Sequence, residues 1–413
     1  MRDVGEGSKG IRSLDSNKRL SAGLFPEKMI PYSRQHVDIK DVIEIQSVLY
    51  ENFLTGGPKV AEFEDAITGF CGAKYAVAFS SGTAALHAAY LTAEMKNHEV
   101  LTTPLTFVAT ANAMLYVGAT PKFVDIETGS LCTHPLDYRE HENQMVVPVH
   151  YAGRPLDLEP IESRFIIEDA CHALGAVGRA GRVGNCAYSE MTVFSFHPTK
   201  VITTGEGGMV TTNSKEHQRR LIEIRNHGRF EGTTAQSLGY NYRLSDIHAA
   251  LGVSQMRKLD LFLAQRSALS KRYRDRLGRK FFTMEPEWPE EWREFLRGTV
   301  SPQEEYPGHA YHLFVVRVPP DARDGLREHL AERGIGTQIH YPLVYHLPHF
   351  EHGDHCCPVA EETVKCLISL PLYPKLPEEV VDDVCKEMYL YLHDTWFRET
   401  EMISGAPSDL YSR

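Results

Sequence analysis

Short apolar runs alternate with helix-patterned stretches along most of this chain, and that alternation limits the fold more than any other feature. AVAF at Ala76–Phe79 precedes ALHAAYLTA. EVLTT at Glu99–Thr103 precedes FVATANAMLY, and PKFVDI, MVVPVHY, FIIEDA and TVFSF follow. Short continuous apolar runs are buried on both faces, so they predict parallel strands joined by crossover helices, an α/β fold. GMVTTN at Gly208–Asn213 adds a strand. SKEHQRRLIEIRNHG then predicts a helix, with Ser214 as N-cap and Gly228 as stop. Leu244 to about Arg276 reads as long, helical and apolar on one face. Beyond it, YHLFVVRV and GTQIHY read as strands, DARDGLREHLAERG as a capped helix and PEEVVDDVCKEMYLYL as a closing helix.

This pattern divides the chain. Residues 1–28 are polar, with a Gly/Ser/Lys/Arg/Asp mixture that buries little, and predict a flexible extension. A large domain is expected over 29–265, a small α+β domain over 266–397 and a flexible tail over 398–413. The 413 residues are 42% hydrophobic and 24% charged, enough for both cores without staples. A net charge of −11 argues against non-specific nucleic-acid binding. Eight cysteines without a CxxC pair suggest reduced thiols and a cytoplasmic setting. No apolar h-region opens the chain and no run of about 18 apolar residues occurs, so neither signal peptide nor membrane span is expected.

Ligands of open parallel sheets bind beyond the carboxyl ends of the strands. The residues expected there form a set. Ser81-Gly82-Thr83 opens a helix after AVAF and offers free amides, a bare backbone and hydroxyls, the needs of a phosphate; on its own the triplet is equally an N-cap. Phe107 follows EVLTT, Asp169 and His172 follow FIIE, and Ser195 and Lys200 follow TVF. Pyridoxal 5′-phosphate would use four of these features: the Ser81–Thr83 turn, Phe107, Asp169 and Lys200. Its phosphate takes amides and hydroxyls, its ring an aromatic face, its ring nitrogen an anion, and its aldehyde a lysine. Lys200 is therefore the expected Schiff-base residue. A P-loop is excluded, because Lys200 precedes the glycines of TTGEGG rather than following them.

The same stretches carry a resemblance. LTGGPKV at Leu54, SSGTAALHAAYL at Ser80, TFVATANA at Thr106 and VHYAGRP at Val149 resemble, in order, motifs of the DegT/DnrJ/StrS-type sugar aminotransferases. So do IEDACHALGA at Ile167, FSFHPTKVITTGEGGMVTTN at Phe194 and LGYNYRLSDIHAALG at Leu238. The resemblance runs from about Ile30 to about Tyr391. It implies the aspartate-aminotransferase-like (type I) fold, with a mostly parallel central sheet, helices on both faces and a smaller α+β C-terminal domain. Within the family the motifs most resemble the branch that aminates C4 of a UDP-4-keto-6-deoxy-hexose in the pseudaminic-acid pathway, with L-glutamate as donor.

The resemblance also implies roles. Lys200 and Asp169 would be catalytic. Gly82, Thr83 and Ser195 would hold phosphate, Phe107 would stack on the ring, and His172 would lie beside it. Asn241, with Arg243 as a neighbouring candidate, would reach the other subunit's cofactor phosphate, which implies a homodimer. Thr55, His340 and Tyr341 would approach the sugar nucleotide, and Tyr151 either lines the site or packs. No arginine falls in a motif that assigns the glutamate carboxylate. Compared with relatives, the chain is short between Asp125 and Val146 and over Gly232–Leu238, where a substrate-covering loop is common.

Three alternatives stay open: amination at C3, or at C4 of another nucleotide keto-sugar; a sugar dehydratase of the same fold; and a non-catalytic relative. Dehydratases carry histidine where Lys200 stands, and the full cofactor set speaks against a decayed site. Glu206 reads as a turn residue. His346–Cys357 contains zinc-ligand residue types, but its spacing is irregular and Cys356 and Cys357 are adjacent. A variable surface loop without metal is expected there.

Overall fold

The structure, a computed structural model, describes residues 29–141, 144–161, 163, 165–230, 232–277, 300–350 and 356–404. The expected extension over 1–28 and the last nine residues of the expected tail lie outside them.

Seven strands form the central sheet: β1 Tyr75–Phe79, β2 Glu99–Thr102, β3 Thr120–Phe123, β4 Met145–Val147, β5 Phe165–Asp169, β8 Met191–Ser195 and β9 Gly208–Thr212. Their order is β1-β9-β8-β5-β4-β2-β3. Strands β6 (Val177–Gly178) and β7 (Gly181–Arg182) pair apart, as a small ribbon. The sheet is mostly parallel, from β3 through β2, β4 and β5 to β8. β9 alone is reversed and pairs antiparallel with both β1 and β8. The carboxyl ends of β1, β2, β5 and β8 therefore share one edge, with the amino end of β9 among them.

Alternation along β1 shows why both faces are covered. Val77 and Phe79 join a core with α3 (Gly82–Thr92), α4 (Ala109–Tyr116) and α5 (Lys215–Arg225). Ala76 and Ala78 join another with α2 (Pro58–Cys71) and α6 (Asp246–Met256). Helix α1 (Ile39–Leu49) lies against α6. Helix α7 (Leu259–Leu277) begins in that second core, through Leu259 and Phe262. It ends in a separate core through Leu269, Tyr273 and Leu277. That separate core also holds β11 (Phe314–Arg317), β12 (Leu367–Leu370) and the last helix, Glu378–Ser404; β10 (Ser301–Pro302) edges this small sheet. A further cluster bridges the two parts, packing Leu105, Tyr151 and Ala152 against Leu313, Val315, Leu343 and Val344.

Four sequence expectations change. The helix from Ser214 stops at Arg225, because Asn226 turns out to bridge Asn241; Gly228, at φ +77°, then closes the end by donating to the Glu223 carbonyl. The Leu244–Arg276 stretch is two helices, broken where Lys258 turns onto Asp38 and Asp41. GTQIHY makes one bridge, Gln338 to Ser369, rather than a strand. The last helix continues through residue 397 to Ser404, as its Glu- and Arg-containing sequence favours. Among the described residues no helix is long and apolar enough to cross a membrane. No cluster of three or more His, Cys, Asp and Glu there could hold a metal ion, and 351–355 of the His-rich loop lie outside the described residues.

Candidate active site

The shared strand edge opens into a cavity of about 360 Å³. Ser81 starts one wall. Its hydroxyl accepts from the Ala84 amide and caps α3, leaving the first-turn amides of Gly82 and Thr83 facing outward. Close packing explains the glycines here. A Cβ on Gly82 would fall 2.8 Å from the Ser195 Cβ, and one on Gly208 only 2.3 Å from the Ser81 carbonyl oxygen. Gly208 pairs with Phe79 on one side and Ser195 on the other. The TTGEGG cluster thus lets reversed β9 sit directly beneath the α3 N-terminus.

Asp169 ends β5 and is buried. Its Oδ2 accepts from the Thr110 hydroxyl at 2.7 Å, which lies 2.8 Å from the Thr106 hydroxyl, and its Oδ1 accepts from the Cys171 amide at 3.1 Å. Lys200 follows β8. Burial of its amino end holds its pKa below the usual lysine range, with Cys171 and Asp169 pulling the other way.

On the opposite wall His312, His340 and Tyr341 of the smaller part of the chain meet His172 and Phe107 of the larger part. His172 has both ring nitrogens engaged. The Ala152 amide donates to Nδ1, so Nε2 carries the proton and donates to the Tyr341 hydroxyl at 3.0 Å. Phe107 is 52% exposed, with its ring 5.6 Å from that of Tyr341. His340 bonds Ser369 through Nδ1 and faces Tyr32. Burial holds His172 and His312 well below the usual histidine pKa, and His340 at about 3.

Nine of the expected residues therefore line one cavity: Lys200, Asp169, Gly82, Thr83, Phe107, His172, Ser195, His340 and Tyr341. Four do not. Tyr151 is fully buried behind the wall, its hydroxyl donating to the His340 carbonyl, so it packs rather than lines. Thr55 is exposed and bridges Ser245, where the LTGGPKV turn wraps the start of α6 by donating the Gly57 and Lys59 amides to Asp246. Asn241 is exposed, and Arg243 donates to Asn226; both sit in a segment tied to the end of β1 by the Ser80 amide and Tyr242 carbonyl. Sequence reasoning missed Tyr32, Thr110, Cys171 and His312 as lining residues, and Glu206 joins them although it was read as a turn residue. Only Thr110 carried a signal: it lies four residues after Thr106, in the TFVATANA stretch that already pointed to the site.

An open cavity over parallel strand ends, with a desolvated lysine, a hydrogen-bonded aspartate and a capped helix start, suits a phosphorylated cofactor that works through an amine. Comparison with known proteins agrees on the class. A Campylobacter jejuni protein named UDP-4-amino-4,6-dideoxy-N-acetyl-beta-L-altrosamine transaminase is 34% identical over 368 residues, 84% of this chain and 93% of that protein. The Bacillus subtilis spore coat polysaccharide biosynthesis protein SpsC is 31% identical over 390 residues, 86% of this chain and 95% of that one. Among solved structures, Helicobacter pylori PseC, described as an aminotransferase in pseudoaminic acid biosynthesis, superposes with a TM-score of 0.80 at 29% identity. That match covers 89% of this chain and all of that one. Residues 36–389 match one family throughout, and the chain belongs to it: the DegT/DnrJ/EryC1/StrS aminotransferases.

Proposed function

We propose that this aminotransferase depends on pyridoxal 5′-phosphate. It takes the amino group of L-glutamate, releasing 2-oxoglutarate, and delivers it to C4 of a UDP-4-keto-6-deoxy-N-acetylhexosamine. The product is a UDP-4-amino-4,6-dideoxy sugar of the pseudaminic-acid type. The observation that carries this reading is the convergence of Lys200, Asp169 and the Ser81–Thr83 turn on one cavity. Similarity to the Campylobacter transaminase and to PseC supports the choice of sugar.

The residues fit the cofactor. Gly82 and Thr83, with the free amides of the first turn of α3, and the Ser195 hydroxyl packed beside Gly82 line the same cavity, donors of the kind a phosphate takes. Asp169, fixed by two donors, supplies the anion for a pyridinium nitrogen. Phe107 offers a flat exposed face. Bound there, pyridoxal phosphate supplies an aldehyde to take up the amine and a ring to draw off electrons. Lys200, whose pKa is lowered by burial of its amino end, would take the proton from Cα of glutamate and in the second half-reaction return one to C4 of the sugar. Thr55, His340 and Tyr341 are assigned to the sugar nucleotide. Asn241 and Arg243, away from their own cavity, are assigned to the cofactor phosphate of a second subunit in a homodimer.

Incubating the purified protein and pyridoxal phosphate with L-glutamate and a panel of UDP- and dTDP-keto-sugars, scored by mass spectrometry, tests this. The expected result is a UDP-4-amino sugar matched by 2-oxoglutarate. A cofactor-loaded protein that aminates none of the panel would overturn it.

A further inference from the structure

The cavity lacks something that an acidic amino donor requires. Among its described lining residues Lys200 is the only lysine or arginine, and Lys200 is needed neutral; Asp169 and Glu206 add negative charge. A carboxylate entering this cavity must therefore meet neutral donors. Most of those present are engaged. His172 uses both nitrogens, His340 uses Nδ1 on Ser369, and the Thr110 hydroxyl is given to Asp169.

His312 is different. It lines the cavity, is only 3% exposed, and its Nδ1 has no hydrogen-bond partner. Its ring lies 4.4 Å from that of His172. An unpaired polar atom in such a place is costly, so a buried ring left this way calls for a ligand. The backbone around it, by contrast, is heavily fixed. The buried Arg266 guanidinium donates to the Tyr311, His312 and Leu372 carbonyls. The Leu313 amide donates to Ala152, and the Ala310 amide to Gly153. Gly153, at φ +98°, admits this approach: a Cβ there would fall 3.1 Å from the His312 backbone nitrogen. Tyr311 at φ 48° and Ala152 at φ 58° hold left-handed backbone on either side of the contact, uncommon for residues with a Cβ. The chain thus sets the His312 ring firmly and leaves its buried Nδ1 without a partner.

We infer that His312 is a binding residue for the amino donor, its neutral imidazole donating a hydrogen bond to a carboxylate of the amino acid. This rests on the transaminase reading above and names the donor subsite within it. It also explains how the cleft accepts two unlike substrates in turn. A neutral donor holds a carboxylate in one half-reaction and presents no fixed positive charge to the uncharged sugar ring in the next.

The test separates the half-reactions in holoenzyme. Single-turnover absorbance changes on mixing with L-glutamate read the first, and regeneration by keto-sugar reads the second. His312→Phe should weaken apparent glutamate affinity by about 10- to 100-fold, the size expected for losing a hydrogen bond to a charged group. Affinity for the keto-sugar should change less than about 3-fold, within the additive scatter of independent sites. His312→Gln, which keeps an N–H donor, should recover much of the loss and guards against a folding defect in the phenylalanine variant. Unchanged glutamate affinity, or equal losses in both half-reactions, would overturn the inference. Failure of the sugar assignment alone would leave it standing, since the glutamate half-reaction is read without any sugar.

Discussion

The wall of the cleft that carries Ser81–Thr83, Asp169 and Ser195 and the wall that carries His312, His340 and Tyr341 hold their side chains by different means. On the first, every residue sits at the end of a strand or the start of a helix, and its orientation follows from the pairing register. On the second, the residues sit in irregular backbone, and their orientation comes from contacts made across the chain: Arg266 on the carbonyls, the Tyr151 hydroxyl on His340, and Tyr341 on His172. The lesson is a division of labour. On the proposed function, the sheet end would offer fixed dipoles and one anion to a permanent guest, and the irregular wall neutral imidazoles and phenols to guests that come and go.

Substitutions on the first wall should therefore disturb the cofactor, and the largest effect is expected at Lys200. Lys200→Ala should lose turnover by about 10⁴-fold or more. It should also lose the long-wavelength absorbance of bound pyridoxal phosphate. Near-normal turnover would show that another amine does the work. Asp169→Asn should keep cofactor in the cavity yet lower turnover by about 100-fold, roughly 2.7 kcal/mol in the barrier. An unchanged rate would mean that the ring nitrogen finds its anion elsewhere.

The second wall should reveal itself through pH and not through cofactor loss. Burial depresses the pKa of His340 to about 3, and that of His309, buried beside Tyr311, likewise to about 3. Unfolded histidines titrate near 6.5. Below that pH the unfolded chain binds protons that the folded wall refuses, so stability falls as pH drops from 6.5 towards 3. Each such histidine steepens the fall by up to about 1.4 kcal/mol per pH unit. Urea unfolding of wild type and His340→Gln between pH 7.5 and 5 should show the variant losing stability more gently, by about one proton's worth. Parallel curves would mean that His340 accepts a proton while folded.

The same contrast explains what could be read from the amino acids alone. SSGT, FIIEDA and FSFHPTK carry their meaning locally: an apolar run predicts a strand, and the polar residues just after it fall at the ligand edge. Lys200, Asp169 and the Ser81–Thr83 turn were legible for that reason. The reversal of β9 was not, because GMVTTN has the apolar pattern of any buried strand whichever way it runs. His312 was illegible for a deeper reason. Its own neighbourhood, YHLFVVRV, reads as the start of a buried strand, and its place at the cleft depends on Arg266 and Gly153, both far earlier in the chain. Tyr151, which the sequence left open between lining and packing, packs: its hydroxyl is spent on the His340 carbonyl behind the wall.

The smallest effect should come from Thr110, and it sharpens the comparison most finely because it lies within the cofactor wall without touching the expected reacting atoms. Its hydroxyl donates to Asp169 Oδ2 at 2.7 Å and is itself 2.8 Å from the Thr106 hydroxyl, so a short polar chain leads from α4 to the carboxylate. Thr110→Val keeps the volume and removes one of the two donors that hold Asp169, leaving the Cys171 amide. Losing a hydrogen bond to a charged group destabilises that charge by about 1.5 kcal/mol or more. Only part of this should reach the rate, because the pyridinium stays beside the carboxylate, so a fall in kcat of about 5-fold is expected. The KM for glutamate should hold and the absorbance maximum of bound cofactor should shift, which a merely structural role for Thr110 would not produce. A rise in KM with unchanged kcat and spectrum would place Thr110 with the residues that meet the incoming substrate, and the division between the two walls would fail at that point.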